Sequence, residues 1–144
     1  CEELVTPPYL DLPSGSVAAV LLFTVLTCVP SDEGQLAIVR EVGRVLRPGG
    51  LLYISDLWLQ SDARNVDRYV RDEPKYGRYG VFDLPEGVTV RHHDRQWIQA
   101  LTSDYEAVAL DDVQVQTMNG HPASAFQWFG VQRACTGTIS SAAV

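Results

Sequence analysis

Lysine is almost absent from this chain, which has a single one, Lys75, among its 144 residues. Lysine and arginine together number 11 against 18 aspartates and glutamates, so the formal net charge at pH 7 is −7. Binding to nucleic acid depends on clustered basic side chains, and the chain contains no basic run. We therefore expect no nucleic-acid partner.

Long apolar runs are missing as well. The longest, Val17–Phe23, has the length of a strand, whereas a membrane-spanning helix needs about 20 apolar residues. No signal-peptide pattern is present either, so we expect no membrane partner. The three cysteines, Cys1, Cys28 and Cys135, are odd in number and far apart. They form neither a disulfide framework nor a Cys-x-x-Cys metal pair, which fits the reducing cytoplasm.

The composition is that of one globular domain, with 46% hydrophobic and 20% charged residues. We expect a single α/β domain over residues 1–133, followed by a flexible tail of small and polar residues at 134–144. The chain begins with Cys1 rather than methionine, and we expect it to be less than a complete gene product.

The segment Arg44–Asp56 predicts a helix end, a turn and a buried strand. Pro48 cannot continue a helix, and Gly49 and Gly50 allow the chain to reverse sharply. The apolar run that follows predicts a strand over 51–57 that is covered on both faces. Asp56 comes at the carboxyl end of that strand, where open α/β sheets place their ligand sites.

The other predicted elements follow from apolar periodicity, capping residues and turn signals. Residues 73–89 hold two prolines, three glycines and several aromatic side chains, so we expect a long loop or lid there. The remaining predictions are a fully buried strand over 17–23, a helix over 32–46 capped by Ser31, a surface helix over 61–72, a helix capped by Asp94, and strands over 107–116 and 125–133 joined by the Asn119-Gly120 turn.

This order of elements resembles the C-terminal half of a class I S-adenosylmethionine-dependent methyltransferase. That family carries Arg-Val-Leu-Lys-Pro-Gly-Gly before its fifth strand, and this chain reads Arg-Val-Leu-Arg-Pro-Gly-Gly over residues 44–50. The resemblance implies a Rossmann-like, mostly parallel sheet with an antiparallel C-terminal hairpin strand. It also implies the cofactor S-adenosylmethionine and methyl transfer to a small-molecule acceptor.

The resemblance further implies where the site residues lie. The cofactor would lie beside Phe23, Thr24, Val25 and Leu26, and the acceptor beside Asp56, Trp58, Tyr76 and Tyr79. Asp56, His92 and His93 are the candidates for catalysis. Several of these residues also have a purely structural interpretation. Residues 23–26 would pack in the core, Asp56 would be a helix cap or a solvated carboxylate, and the tyrosines would belong to a loop that covers the core. No third ligand is spaced to join the two adjacent histidines, so we expect no metal site.

The chain departs from the family pattern at several points. Ala18 stands where the family usually has Asp, and Thr27-Cys28 where His-His is common. The glycine-rich loop after the first strand and the acidic residue after the second are both missing. We therefore expect an incomplete sheet in which strand 17–23 is an open edge, covered by self-association or by an N-terminal segment. A non-catalytic module that acts in assembly or binding is the alternative function.

Overall fold

The structure is a computed structural model that describes residues 9–133. The predicted tail over 134–144 and the first eight residues lie outside the described residues. The helices are α1 (Asp32–Val45), α2 (Ala63–Tyr76) and α3 (Arg95–Leu101), and the strands are β1 (Val17–Phe23), β2 (Leu46–Leu57), β3 (Val81–Asp83), β4 (Thr89–Arg91), β5 (Tyr105–Gln116) and β6 (Pro122–Gln132). In this range no helix has both the length and the apolar character needed to cross a bilayer.

Four strands form one open sheet in the order β1-β2-β6-β5. β1 and β2 are parallel, and β6 runs antiparallel to both of its neighbours. Since β1, β2 and β5 share one direction, the predicted mostly parallel sheet with an antiparallel C-terminal hairpin strand is confirmed. Strand β5 also contains a register shift between Ala107 and Ala109.

Two helices cover one face of this sheet. The Oγ of Ser31 caps α1 by accepting from the Gly34 N–H at 3.1 Å, and Asp94 caps α3 by accepting from the Trp97 N–H at 2.7 Å. Full burial of one aliphatic side chain contributes about 1.5–3 kcal/mol, so this shared core holds the helices in place. The core contains Leu22, Ile38, Val39, Val42, Leu52, Ile54, Ile98, Leu101, Phe126 and Trp128.

The expected sharp turn after α1 is instead a bulge within β2. The helix ends at Val45, and β2 already begins at Leu46. Val17 of β1 pairs with Leu46, whereas Ala19 pairs with Leu51, so residues 47–50 loop out of the ladder. Gly49 has a φ of 74°, which side chains disfavour. Gly49 therefore supports a tight turn of residues 47–50 that lies inside β2 and not between α1 and β2.

The prediction that β1 is fully buried is wrong for the described chain. β1 is an edge strand that pairs, within residues 9–133, only with β2. Leu21 and Phe23 are 61% and 62% exposed, and the Phe23 ring packs on Tyr53 with centroids 5.5 Å apart. An apolar run without alternation suits a strand that is covered on both faces, and the described residues cover only one.

The predicted loop over 73–89 is also corrected. Helix α2 continues through Pro74 to Tyr76, and β3 and β4 then form an antiparallel hairpin. The last helical turn is held because Lys75 Nζ and the Tyr76 hydroxyl each donate to Asp83, both at 2.5 Å. The hairpin and α2 enclose a second small core formed by Tyr69, Phe82 and Val90 with Leu59 and Leu84.

Gly80, the residue before β3, lies against the backbone of His92, the residue after β4. Its φ is 95°, and a Cβ there would lie 2.7 Å from the His92 carbonyl oxygen.

We expect Gly80→Ala to lower the free energy of unfolding by about 3 kcal/mol, because backbone strain and steric overlap add. Gly77 is the matched control, since its φ is 65° but nothing lies within 4 Å of the added atom. Gly77→Ala should cost only about 1 kcal/mol. Equal losses in urea unfolding would contradict the crowding at Gly80.

Candidate functional site

The carboxyl ends of β1 and β2 lie side by side at one edge of the sheet. The two strands are parallel and their register pairs Phe23 with Ser55. The Thr24 N–H continues this pairing by donating to the Ser55 carbonyl at 2.8 Å. The segment that follows β1 is therefore fixed beside the last residues of β2, the position where open α/β sheets bind ligands.

Thr24 has an unusual backbone conformation at this edge. Its φ is 55°, and it is the one residue other than glycine with a positive φ among the described residues. The left-handed region is costly for a β-branched side chain, by about 1–3 kcal/mol. Such strain concentrates at functional sites, where surrounding contacts hold it.

Asp56 binds the segment that follows Thr24 from the end of β2. The Thr27 N–H donates to its Oδ2 at 3.1 Å, and the Thr27 hydroxyl donates to its Oδ1. The Leu57 N–H donates to the same Oδ1 at 2.8 Å. Asp56 is 2% exposed, and this burial raises the pKa of its carboxyl group above the usual range. Asp56 thus anchors the segment after β1 and does not face solvent.

His93 is locked beside Asp56 by Gln35. Trp97 Nε1 can only donate, and it does so to Gln35 Oε1 at 2.6 Å, which fixes the amide orientation. Gln35 Nε2 has two hydrogens, which it donates to the Leu26 carbonyl at 2.9 Å and the Val29 carbonyl at 2.8 Å. The same nitrogen lies 2.9 Å from His93 Nε2. The Leu57 carbonyl can only accept and lies beside His93 Nδ1, so the ring proton is on Nδ1.

The environment of His93 keeps its imidazole neutral. The protonated Nδ1 lies 3.2 Å from the Leu57 carbonyl and 3.8 Å from Asp56 Oδ1. Burial, followed by the repulsion of nearby Arg91, lowers the pKa of His93 to about 3. Because both ring nitrogens already have neighbours, His93 acts as a structural link between β2, α1 and α3.

A cavity of about 490 Å³ opens at the same edge, next to this network. We call it the carboxyl-edge pocket. Its floor includes Thr27 and Leu57, and its remaining walls come from α2, the β3–β4 hairpin and the β5–β6 turn. The other lining residues are Gln60, Arg64, Asn65, Arg68, Phe82, Leu84, Pro85, Glu86, Val90, His92, Thr117, Met118, Asn119, His121, Pro122 and Ala123.

His92 lines this pocket, in contrast to His93. The Gln60 N–H donates to the Tyr69 oxygen at 3.1 Å, so the Tyr69 hydroxyl proton is free to point to His92 Nδ1, 2.5 Å away. His92 is therefore the Nε2–H tautomer, and Nε2 has no partner among the described residues. Burial lowers the pKa of His92 to about 4, so this nitrogen is a neutral donor at physiological pH.

The other residues predicted to bind the acceptor lie apart from one another. Trp58 packs on Phe126 with centroids 4.2 Å apart and lines a separate hollow of about 350 Å³. Tyr76 lines a third hollow of about 340 Å³. Tyr79 packs edge-on against Tyr69 at 5.1 Å. The structure brings none of these three side chains into the carboxyl-edge pocket.

The four residues predicted to lie beside the cofactor have different exposures. Phe23 and Thr24 are exposed and Val25 is half-buried. Leu26 is completely buried in the main core, so only its backbone lies near the edge. Phe23, Thr24 and Val25 thus form an accessible strip along the open side of β1.

Solved structures share this arrangement of strands and helices. A methyltransferase from Methanosarcina mazei, described as dependent on S-adenosylmethionine, superposes with a TM-score of 0.80 at 22% identity, over 86% of this chain and 63% of its own. An N-methyltransferase from Bradyrhizobium japonicum superposes at 0.52 and 11% identity, over 86% and 56%. The chain has the class I methyltransferase fold. The resemblance inferred from residues 44–50 is thereby confirmed at the level of the fold.

A third neighbour with this methyltransferase fold was solved with ligands. It is the 1,6-didemethyltoxoflavin-N1-methyltransferase of Burkholderia thailandensis, which contains 1,6-didemethyltoxoflavin and S-adenosylhomocysteine. Its TM-score is 0.57 at 13% identity, over 85% of this chain and 46% of its own. The chain spans less than two thirds of the length of each of these three neighbours. No protein-family model matches the sequence, and no curated protein matches it either.

Several residues at this edge of the methyltransferase fold are not indicated by local sequence patterns. Gln35 looks like a polar position of an amphipathic helix, yet it is fully buried. Tyr69 is recognisable only through its spacing, since Asn65, Tyr69 and Asp72 recur at helical intervals and form the buried side of α2. That spacing was the available signal that α2 packs against something other than solvent.

The buried histidines predict an acid-sensitive fold. Both pKa values are lowered in the folded state, so the unfolded chain binds protons first as pH falls below about 6.5. Stability is then fully present above that pH and decreases below it, by up to about 1.4 kcal/mol per pH unit for each histidine. We expect His93→Gln to halve the decrease of the free energy of unfolding with falling pH, measured by urea unfolding between pH 7 and 5. The exposed His121 is the control, and His121→Gln should keep the wild-type slope. Parallel curves for wild type and His93→Gln would contradict the neutral, buried state of His93.

Proposed function

We propose that this chain is part of an S-adenosylmethionine-dependent methyltransferase that acts on a small molecule held in the carboxyl-edge pocket. The observation that supports this most strongly is the position of the pocket. It lies at the carboxyl ends of β1 and β2, where Thr27 and Leu57 line it, in a chain with the class I methyltransferase fold. The Burkholderia thailandensis neighbour, with its product cofactor and small-molecule ligand, supports the same reading.

The residues present at the open side of β1 fit one part of such a cofactor. Phe23, Thr24 and Val25 form an accessible strip in which an exposed aromatic ring stands next to a backbone held out of its normal conformation. These three residues would contact the cofactor, and Leu26 would contribute backbone only. When bound, S-adenosylmethionine supplies an electrophilic methyl group on a sulfonium.

The chain's own contribution to methyl transfer is positioning. Asp56 and His93 are both buried and already bonded, so neither reaches the pocket as a general base in this state. Asp56 instead fixes Thr27 at the pocket floor, and His92 presents an N–H donor at the wall. Orientation of two reactants can lower a barrier by several kcal/mol without any proton transfer.

Further polypeptide completes the site in this proposal, either from a second copy of the chain or from a longer polypeptide. The outer edge of β1 has no partner strand within residues 9–133, and Leu21 and Phe23 expose apolar surface beside it. Unpaired strand edges with apolar side chains invite pairing with another strand. Residues 1–133 form a single domain in this account, and a cytoplasmic location fits the exposed thiol of Cys28.

A non-catalytic assembly module is the second candidate. The observation that favours it is the exposed apolar surface of Leu21 and Phe23, which would also suit a permanent protein interface. The sequence also lacks the glycine-rich loop of the methyltransferase family. This candidate predicts association without cofactor binding, and the first predicts both.

Calorimetric titration with S-adenosylhomocysteine separates the two functions. It is performed on the polypeptide as its natural gene encodes it, in the oligomeric state that this polypeptide adopts. We expect binding in the micromolar range, and we expect Phe23→Asp to weaken it at least about tenfold, because a charge replaces apolar contact beside the cofactor.

Val108 supplies the control for this titration. It is 58% exposed on β5, the strand at the opposite edge of the sheet. Val108→Asp should leave the affinity for S-adenosylhomocysteine within about twofold of wild type, since it lies far from the carboxyl end of β1. No heat of binding for the wild-type polypeptide would favour the assembly module. Equal losses of affinity in the two variants would show that Phe23 does not contact the cofactor.

A further inference from the structure

The carboxyl-edge pocket collects basic groups in a chain that is otherwise acidic. The net charge of the whole chain is −7, yet Arg64, Arg68, His92 and His121 all line this cavity. Glu86 is the one acidic residue among its lining residues. The local charge is therefore opposite in sign to that of the whole chain, which favours an anionic ligand.

The two arginines of this pocket are not neutralised by the part of the chain that the structure describes. Neither Arg64 nor Arg68 forms a salt bridge there, whereas most other arginines do. The neighbouring carboxylate of Asp62 accepts from the Asn65 backbone N–H at 3.2 Å and from Asn65 Nδ2 at 2.6 Å. These hydrogen bonds, with a smaller contribution from the charge of Arg64, lower the pKa of Asp62. The guanidinium of Arg68 lies 5.5 Å above the Phe82 ring and 3.4 Å from Asn65 Oδ1, so neutral groups hold its position.

His92 adds a directed donor to this pair of charges. Its Nδ1 is bound to the Tyr69 hydroxyl at 2.5 Å, and Phe82 packs on the ring with centroids 5.0 Å apart. The ring is thus clamped, with Nε2–H as the remaining polar group, and it is only 9% exposed. This N–H lines the pocket, where an acceptor on a ligand can bond to it.

The cavity also has an apolar part. Phe82, Leu84 and Val90 line it, together with Met118 from the β5–β6 turn. The volume of about 490 Å³ lies within the range of about 300–1,000 Å³ for small-molecule sites. A molecule with one or two rings would fill the apolar part and reach the basic groups at the same time.

We propose that the carboxyl-edge pocket binds a small molecule that joins a flat apolar body to a carboxylate or similar anionic oxygen group. His92 Nε2–H and the guanidinium groups of Arg64 and Arg68 receive the anion, and Phe82 with its neighbours contacts the apolar body. This inference rests on the proposed function only in naming that molecule the methyl acceptor. The binding of the molecule does not depend on it.

The test compares 2-naphthoate with 2-naphthamide, which have the same rings but differ in charge. Each is titrated into the complete polypeptide and followed by calorimetry and by two-dimensional NMR of the backbone amides. Charge-assisted hydrogen bonds are stronger than neutral ones, so we expect 2-naphthoate to bind at least about tenfold more tightly. The amide signals that shift should include those of α2 and the β3–β4 hairpin.

Variants locate the charge that causes the preference. The double variant Arg64→Gln with Arg68→Gln should lower the affinity for 2-naphthoate at least about tenfold. It should change the affinity for 2-naphthamide by no more than about twofold. Arg40→Gln is the matched control, because Arg40 is an exposed arginine of α1 outside the pocket. His92→Phe keeps a ring but removes the donor, and it should also reduce the preference for the anion. The arginine variants decide the question if the loss of the Tyr69 contact destabilises His92→Phe.

The outcomes separate this inference from the proposed function. S-adenosylhomocysteine is titrated into the same samples. Equal affinities for the two naphthyl probes, absence of binding by both, or an equal loss in Arg40→Gln would overturn the anion site, even where S-adenosylhomocysteine binds. Selective binding of 2-naphthoate without binding of S-adenosylhomocysteine would support the anion site and refute the methyltransferase function.

Discussion

A buried carboxylate at the end of the central strand controls the geometry of the whole candidate site. Taking an ionised Asp56 out of water is costly unless donors replace the lost hydration. The Thr27 N–H, the Thr27 hydroxyl and the Leu57 N–H replace it. This bonding ties the segment after β1 to the end of β2, three residues after the strained Thr24. Without that tie, the floor of the carboxyl-edge pocket would lose its fixed position.

Two adjacent histidines, His92 and His93, connect this edge of the sheet to different helices. Successive residues of an extended segment point to opposite sides, so His93 enters the main core while His92 faces the pocket. His93 joins the Asp56 region to α1 and α3 through Gln35. His92 joins the same edge to α2 through Tyr69. Part of the pocket is therefore framed by elements whose positions are coupled through buried polar contacts.

The elements that depend on local chemistry were predictable from the sequence, and those that depend on distant contacts were not. The caps at Ser31 and Asp94 and the strand over 17–23 appear where the sequence indicates them. The continuation of α2 through Pro74 depends on Asp83, and the hairpin depends on packing against Tyr69. The position of Asp56 at the edge follows from fold topology, but its burial depends on Thr27, 29 residues away. Similarly, the pairing of Gln35 with His93 spans 58 residues, and no local pattern encodes such a partnership.

The central claim is that the Asp56–Thr27 contact holds this edge together, and a double-mutant cycle tests it most directly. Thr27→Val, Asp56→Asn and the double variant are unfolded in urea, each with its folded state verified by circular dichroism. Hydrogen bonds to a charged group are worth about 1.5–3 kcal/mol, and residues in contact couple while distant ones add. We expect a coupling free energy of about 2 kcal/mol between the two positions. Additive losses, with a coupling close to zero, would contradict it.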